Sequence, residues 1–341
     1  MPVSINNPRL PTSKRERMIE SVRWDRPEQL IDVSEFSRLI DAWLDDKSRT
    51  VVEKTLLGYR EKIMYFLEYL NAFELRECSR SDIEEFARWL SRRPSQHDPY
   101  RALGWNTRND VHRRLRALFR WAFREGYLER SYADWVPAAY GAKPARAAPS
   151  LSVIEAMMDP KLHDKVVYPE RSRAVVALLF GVGLRRIEVH RLNVDDIKMP
   201  LGGQPHLRII GKAQVERLAA FDNVVGYHLE RYLEKRGYPT SGPLFMSSHG
   251  TRLSLQGVYR AYRALAKQAG VFDELNGTHD GRRMFITHWR RYQQGVNSDD
   301  LLRRQVGHSS TDMTNHYSLQ DVEAIGESFI SPLGTLKKAR Q

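Results

Sequence analysis

The chain has 341 residues, 41% of them hydrophobic, which is long enough for two domains that each bury a core. Its 54 lysines and arginines against 42 acidic residues give a net charge of +12, so a polyanion such as nucleic acid is the expected partner. The single cysteine, Cys78, excludes an intrachain disulfide and favours a reducing compartment, so we expect a cytoplasmic protein.

Residues 1–33 show little apolar periodicity and are predicted to be an N-terminal extension. They lack the apolar segment of a secretory signal, so we do not expect secretion. From Ser34 onward, apolar residues recur three and four positions apart, which indicates amphipathic helices. Three helices, which start near Ser34, residue 50 and Ser81, are predicted to pack as a small bundle.

The fourth predicted helix, residues 107–126, has one apolar side and one side of arginines only. Solvated helix faces normally mix signs, because like charges four residues apart repel each other. We therefore interpret the stripe as a track that contacts DNA phosphates, and an ordinary solvated face is the alternative. The stripe consists of Arg113, Arg116, Arg120 and Arg124.

Residues 136–150 are rich in Ala, Pro and Gly and predict an extended linker between two domains. The apolar run 174–184 beyond it is too short to span a bilayer, so no membrane segment is expected. The second domain is predicted to be mainly α with a small antiparallel β-sheet. Its predicted elements are helices near 152–158, 172–183, 184–191, 224–236 and 255–269, a hairpin of 206–212 and 215–221, and a possible edge strand at 243–247.

Four short motifs follow one another in the second domain, and together they resemble the tyrosine recombinase family of integrases and Xer-like site-specific recombinases. In that family the motifs take the forms G-L-R-x-x-E, a hairpin lysine, H-x-L-R-H, and L-G-H-S with a tyrosine nine residues after the histidine. Four matches in this order are far more specific than any one of them. They are GLRRIE (183–188), GKAQVER (211–217), HDGRR (279–283) and GHSSTDMTNHY (307–317).

The resemblance implies a mainly α fold in which a helical, SAM-like core-binding domain and a catalytic domain form a C-shaped clamp around duplex DNA. It implies a DNA-binding domain at 34–138, a linker at 139–150, a catalytic domain at 151–331 and a tail at 332–341. The implied catalytic residues are Arg185, Lys212, His279, Arg282, His308 and the nucleophile Tyr317, with Glu188 orienting the first arginine.

Three positions depart from the family pattern, and none of them is a catalytic position. Gly281 stands for the usual leucine, which we expect to remove some packing. Arg283 stands for the usual histidine and is expected to add charge near the site. Val306 stands for leucine before the glycine of the last motif.

The chemistry of a phosphodiester explains why these residue types are suitable. Two arginines stabilise the charge that gathers on the phosphate in the transition state. A tyrosine with a pKa of about 10 needs a proton acceptor, for which His279 is the candidate. His308 would bond a phosphate oxygen, and Lys212 would protonate the departing 5′ oxygen. The tyrosyl ester keeps the bond energy, so no ATP, metal or other cofactor is expected.

The predicted function is a site-specific DNA recombinase that works through a 3′-phosphotyrosyl link and a Holliday junction. A type IB topoisomerase and a catalytically silent architectural DNA-binding protein remain as alternatives. Family resemblance also implies a DNA-bound homotetramer in which a C-terminal helix docks on the neighbouring subunit, whereas the simpler alternative folds that helix onto its own domain. Its apolar face holds Val322, Ile325, Phe329 and Ile330.

Overall fold

The computed structural model describes residues 2–3, 30–34, 36–75, 77–95, 98–141, 147–201, 203–211, 216–293, 298–307, 325 and 330–338. The chain divides into two compact units, Met1–Ala145 and Arg146–Gln341. Among the described residues, no helix combines the length and the apolar character that a bilayer crossing requires.

The described part of the first unit is built on four helices whose apolar stripes share one core. Phe66 lies at its centre and meets Phe36, Phe86 and Phe119 edge to face, with ring centroids 5.3, 4.9 and 6.3 Å away. Edge-to-face contacts of this kind add to the burial of apolar area. The helices are α1 (Phe36–Ser48), α2 (Glu53–Ala72), α3 (Arg80–Arg92) and α4 (Trp105–Arg124), followed by a 3-10 turn at Ala133–Trp135.

Short strands complete the first unit and were not predicted from the sequence. Most of them have only two or three residues, which are too few to show an alternating pattern. β1 (Pro2–Val3) pairs in parallel with β2 (Leu30–Asp32), which pairs antiparallel with β3 (Glu77–Cys78). β4 (Pro94–Ser95) and β5 (Asp98–Ala102) form an antiparallel pair.

Part of the predicted linker is held along α4. The Val136 carbonyl accepts hydrogen bonds from Nε and Nη2 of Arg116, at 3.1 and 3.0 Å. Nδ1 of His112 lies 2.8 Å from the next carbonyl, that of Pro137. Nε1 of Trp105, the first residue of α4, donates to the Gly141 carbonyl at 2.8 Å. The segment 136–141 is therefore not a free strap, because side chains of α4 bond three of its backbone carbonyls.

The second unit is mainly helical with one antiparallel sheet in the order β6-β7-β8. Its central α6 continues into one fully buried π-helical turn, Ala177–Gly181. The predicted strand at 243–247 is wrong, since that segment makes only isolated bridges. The strands are β6 (Ile197–Lys198), β7 (His206–Ile210) and β8 (Glu216–Ala220). The helices are α5 (Leu151–Met157), α6 (Pro169–Val176), α7 (Arg186–Arg191), α8 (Asn223–Lys235), α9 (Leu255–Gln268), α10 (His279–Tyr292), α11 (Ser298–Val306) and α12 (Pro332–Lys338).

The C-terminal residues that the structure describes pack on their own unit. Leu333 of α12 is buried in the main core, so residues 332–338 are a packed helix and not an unattached tail. Thr335 Oγ1 lies 2.9 Å from Nε2 of His288 on α10. Ile325 is buried beside Phe285 and Trp289. Val322 and Phe329, which are predicted to share an apolar helical face with Ile325, lie outside the described residues.

Acidification should destabilise the first unit through His112. Burial lowers the pKa of this histidine from 6.5 to about 4, because the charged imidazole is poorly solvated there. The unfolded chain therefore takes up a proton near pH 6.5 while the folded one does not, and stability falls as the pH drops from 6.5 towards 4. Between pH 7 and pH 5 we expect a loss of up to about 2 kcal/mol.

Urea titrations followed by tryptophan fluorescence test this expectation, because every tryptophan except Trp289 belongs to the first unit. The variant His112→Asn has no group that titrates at this position, so its unfolding free energy should change less between the two pH values. Equal pH dependence in both proteins would contradict the assignment.

Candidate active site

Arg185 is placed by the turn that joins the π-helical turn to α7. Gly183 in this turn has φ +75°, and a Cβ there would lie 2.9 Å from the ring of Phe285, so only glycine fits. Glu188 then fixes Arg185 twice. Its Oε2 accepts from the Arg185 backbone N–H at 2.8 Å, and its Oε1 accepts from Nη1 at 2.9 Å.

A second arginine holds the same carboxylate. Arg217 on β8 donates from Nη1 and Nη2 to the two oxygens of Glu188, both at 3.0 Å. The side chains of Arg217 and Glu188 are only 4% and 3% exposed. Burial would raise the pKa of Glu188, but the bonds and charges of the two arginines outweigh it and hold that pKa below its usual value.

Sequence reasoning missed Arg217, although the strand pattern contained a signal for it. Arg217 is in phase with Ala219 and Phe221, both fully buried, whereas Glu216 on the other side is exposed. A charged residue in the buried phase of a strand requires a buried partner of opposite charge. Its partner, Glu188, was known only as a family position.

Arg282 enters the site from the first turn of α10. Its Nη1 donates to the Gly183 carbonyl at 3.0 Å, and its Nη2 donates to the Val306 carbonyl. Burial first, and then the charge of Arg185, lower the pKa of Arg282 to about 9. The guanidinium therefore stays charged at neutral pH.

The end of α11 is bound by three arginines in succession. The carbonyls of Gln305, Val306 and Gly307 accept from Arg217 Nε, Arg282 Nη2 and Arg185 Nη2 respectively; the first and third distances are 3.2 and 3.1 Å. The last carbonyls of a helix lack intrahelical partners, and cations near them are favoured by the helix dipole. This end of α11 leads directly to position 308.

The Gln305 side chain fixes α11 to the sheet as well. Its Oε1 accepts from the Ala220 N–H at 2.9 Å and its Nε2 donates to the Ala220 carbonyl at 2.8 Å. The fully buried amide thereby satisfies the backbone groups of β8 as a further strand would. Sequence reasoning did not identify Gln305, because an isolated glutamine in a helix has no distinguishing pattern.

His279 is the first residue of α10 and is exposed. Desolvation by the surrounding protein and then the positive charges of Arg282, Arg185 and Arg186 lower its pKa below the ordinary 6.5. The imidazole is therefore neutral at pH 7 and can accept a proton.

Two of the departures from the family pattern have structural explanations. A Cβ at Gly281 would lie 2.6 Å from the Leu179 carbonyl oxygen, so the glycine does not leave a packing gap but permits α10 to approach the π-helical turn closely. Arg283 does not add an isolated charge, because its Nη2 is bonded to the buried Asp280 carboxylate.

The structure describes only some of the remaining predicted residues. Lys212, His308 and Tyr317 lie outside the described residues and stay predictions. On α4, Arg116 is partly buried and donates from Nε and Nη2 to the Val136 carbonyl, so two of its donors are engaged within the first unit. Its contact with phosphate stays a prediction.

The other three arginines of the predicted phosphate track are exposed. Arg113 is paired with Asp110 at 3.0 Å, and Arg124 with Glu125 at 2.8 Å. Carboxylates thus offset part of the positive charge of this face. Arg113, Arg120 and Arg124 remain candidates for DNA contact.

Comparison with known proteins identifies relatives of both units. The Phage integrase family profile matches residues 152–323, and the Phage integrase SAM-like domain profile matches residues 35–138. Tyrosine recombinase XerD of Corynebacterium glutamicum is 27% identical over 306 residues, which cover 85% of this chain and 95% of that protein.

Solved structures show the same fold at low sequence identity. Lambda integrase (residues 75–356) bound to DNA superposes with a TM-score of 0.60 and 17% identity, covering 86% of this chain and 97% of that one. A lambda integrase tetramer bound to a Holliday junction gives a TM-score of 0.57 at 17% identity, covering 92% and 85%.

Replacing Arg186 by methionine should raise the pKa of His279. The Arg186 charge disfavours a second positive charge on the imidazole, so its removal makes protonation easier. Arg191→Met on the same helix, α7, is the matched control, because Arg191 is not among the charges that act on His279. NMR titration of the His279 ring protons measures both shifts. An unchanged or lower pKa in Arg186→Met would contradict this electrostatic account.

Proposed function

The chain belongs to the phage integrase family, the tyrosine recombinases, and we propose that Tyr317 is the nucleophile with which it cuts DNA. As a member of this family it is a site-specific recombinase, an enzyme that performs DNA strand transesterification. Arg185, Arg282 and His279, which the sequence separates by almost a hundred residues, come together in the described part of the second unit, and this observation carries the proposal.

The two arginines are assigned to the scissile phosphate. Arg185 is bonded to Glu188 and Gly307, and 34% of its side chain remains exposed, so it can reach a phosphate at the surface. Arg282 is more deeply buried than Arg185, and its guanidinium is charged at neutral pH. Fixed cations that are already in place stabilise the additional charge of a pentacoordinate transition state without reorganisation.

The two proton transfers are assigned to His279 and Lys212. The Tyr317 oxygen attacks phosphorus while the bond from phosphorus to the 5′ oxygen breaks. Neutral His279 accepts the tyrosine proton, and Lys212 gives a proton to the departing oxygen. His308 bonds a nonbridging oxygen. The same steps in reverse join a new 5′-hydroxyl, so the reaction requires no ATP, metal or other cofactor.

We further propose that the protein acts on duplex DNA in the cytoplasm as a homotetramer. A lambda integrase tetramer bound to a Holliday junction has the same fold, which supports this assembly. Ile325 packs beside Phe285 and Trp289 of its own unit. In the proposed exchange, the C-terminal helix of a neighbouring subunit places its own Ile325 in this position. A domain swap of this kind keeps the same contact but forms it between two chains.

Ile325→Ala should weaken tetramer assembly on DNA more than binding to one half-site. The substitution removes apolar area from the contact that is proposed to pass between subunits. Leu336→Ala on α12 removes an equal number of carbon atoms and is the matched control. Native gels with one-site and two-site DNA measure both properties. Equal effects of the two substitutions on assembly would reject the exchange.

Incubation with a nicked suicide DNA site should trap a covalent protein–DNA adduct. The nick allows the short 3′ fragment to diffuse away, so religation fails and the tyrosyl ester accumulates. Tyr317→Phe lacks the nucleophilic oxygen and should give no adduct while it still binds the site. Denaturing gels measure the adduct. An adduct that persists in Tyr317→Phe would show that another residue attacks.

A further inference from the structure

The Glu188 carboxylate accepts four hydrogen bonds from two arginines, and their distribution is symmetrical. Oε1 accepts from Arg185 Nη1 and Arg217 Nη1, while Oε2 accepts from the Arg185 backbone N–H and Arg217 Nη2. All four distances lie between 2.8 and 3.0 Å. The carboxylate is therefore shared, and Arg185 is not its sole counter-charge.

We propose that Arg217 is a positioning residue for Arg185, which balances the charge of Glu188 so that Arg185 stays available to the phosphate. The proposal deepens the function given above and rests on it. Arg217 itself is buried, its side chain being 4% exposed, and acts on DNA only through its neighbours.

Charge balance is the first argument for this role. Three guanidinium groups, those of Arg185, Arg217 and Arg282, surround one carboxylate, so the cluster has a net charge of +2. Without Arg217, Glu188 would cancel one of the two remaining arginines. The cluster would then face a transition state with about two negative charges while having a net charge of only +1.

Connectivity is the second argument. Arg217 also donates from Nε to the Gln305 carbonyl, and its guanidinium lies 3.1 Å from the position of a Cβ at Gly307. It therefore touches the segment whose carbonyls bind Arg282 and Arg185. Along the chain it follows Lys212 by five residues. The buried Arg217 side chain thus connects β8, the strand after the predicted hairpin lysine, to Arg185 and Arg282, the two arginines that are assigned to the phosphate.

Arg217→Met is the informative substitution, and Arg208→Met is its matched control. Arg208 lies on the neighbouring strand β7 and bonds a buried carboxylate too, with Nε 2.9 Å from Asp196 Oδ1. Asp196 touches none of the predicted catalytic residues among the described contacts. Both variants therefore remove an arginine–carboxylate pair from the same sheet, but only one of them contacts the site.

Single-turnover cleavage of the suicide site, started from preformed complexes, measures the effect on folded protein. We expect Arg217→Met to cleave at least about tenfold more slowly, with half-site affinity within about threefold of wild type. Arg208→Met should cleave at the wild-type rate. Wild-type cleavage by Arg217→Met, or an equal loss in Arg208→Met, would overturn the proposal.

A methylphosphonate at the scissile position separates positioning from a general structural defect. This linkage is uncharged, so the cluster has one negative charge fewer to stabilise, and the defect of Arg217→Met should shrink at least about threefold. A misfolded site would lower cleavage of both substrates equally, and that result would overturn the proposal.

The double variant Glu188→Gln/Arg217→Met removes both charges and returns the cluster to +2. Glutamine keeps only one acceptor oxygen for Arg185, so the reference for the double variant is Glu188→Gln alone. With no carboxylate charge left to balance, removal of Arg217 should cost at most about threefold in that background, and this comparison decides the matter if Arg217→Met does not fold. A folded double variant that cleaves more than about tenfold below Glu188→Gln would overturn the proposal. Absence of any wild-type adduct would instead reject the proposed function, so the two failures are distinguishable.

Discussion

The buried carboxylate of Glu188 is the interaction on which the second unit's candidate site depends. An isolated ionised carboxylate with only 3% of its side chain exposed would be strongly destabilising. Four charge-assisted hydrogen bonds from Arg185 and Arg217 compensate for its desolvation. The carboxylate and the two arginines stabilise one another. They therefore hold the start of α7 and strand β8, which are separated in the chain, in one fixed arrangement.

The end of α11 extends this arrangement to the residues that follow it. Its last carbonyls would be unsatisfied in an isolated helix. Those of Val306 and Gly307 accept from the two arginines that are proposed to bind phosphate, and that of Gln305 accepts from Arg217. The contacts that position Arg185 and Arg282 therefore also fix the end of α11. Preorganisation of the cations and the position of Gly307, the first residue of the last motif, have a common physical cause.

The prediction succeeded where a local pattern contained the information. Helical periodicity identified the first-unit helices, and α8 and α9 agreed with their predicted bounds within a residue or two. It failed where contacts between distant residues decided the outcome. The segment 243–247 looks like a strand but makes only isolated bridges, and no local pattern indicates that Arg116 donates to the Val136 carbonyl.

The sequence by itself determined the family, the mainly helical fold and the residue types of the site, because motifs and periodicity are local properties. Only the tertiary structure decided how those residues are held. Arg217 and Gln305 belong to no recognised catalytic position, and Gly281 looked like a loss of packing until its distance to the Leu179 carbonyl was known. Burial, charge balance and close backbone approach depend on residues that meet only after folding, so a linear pattern does not contain them.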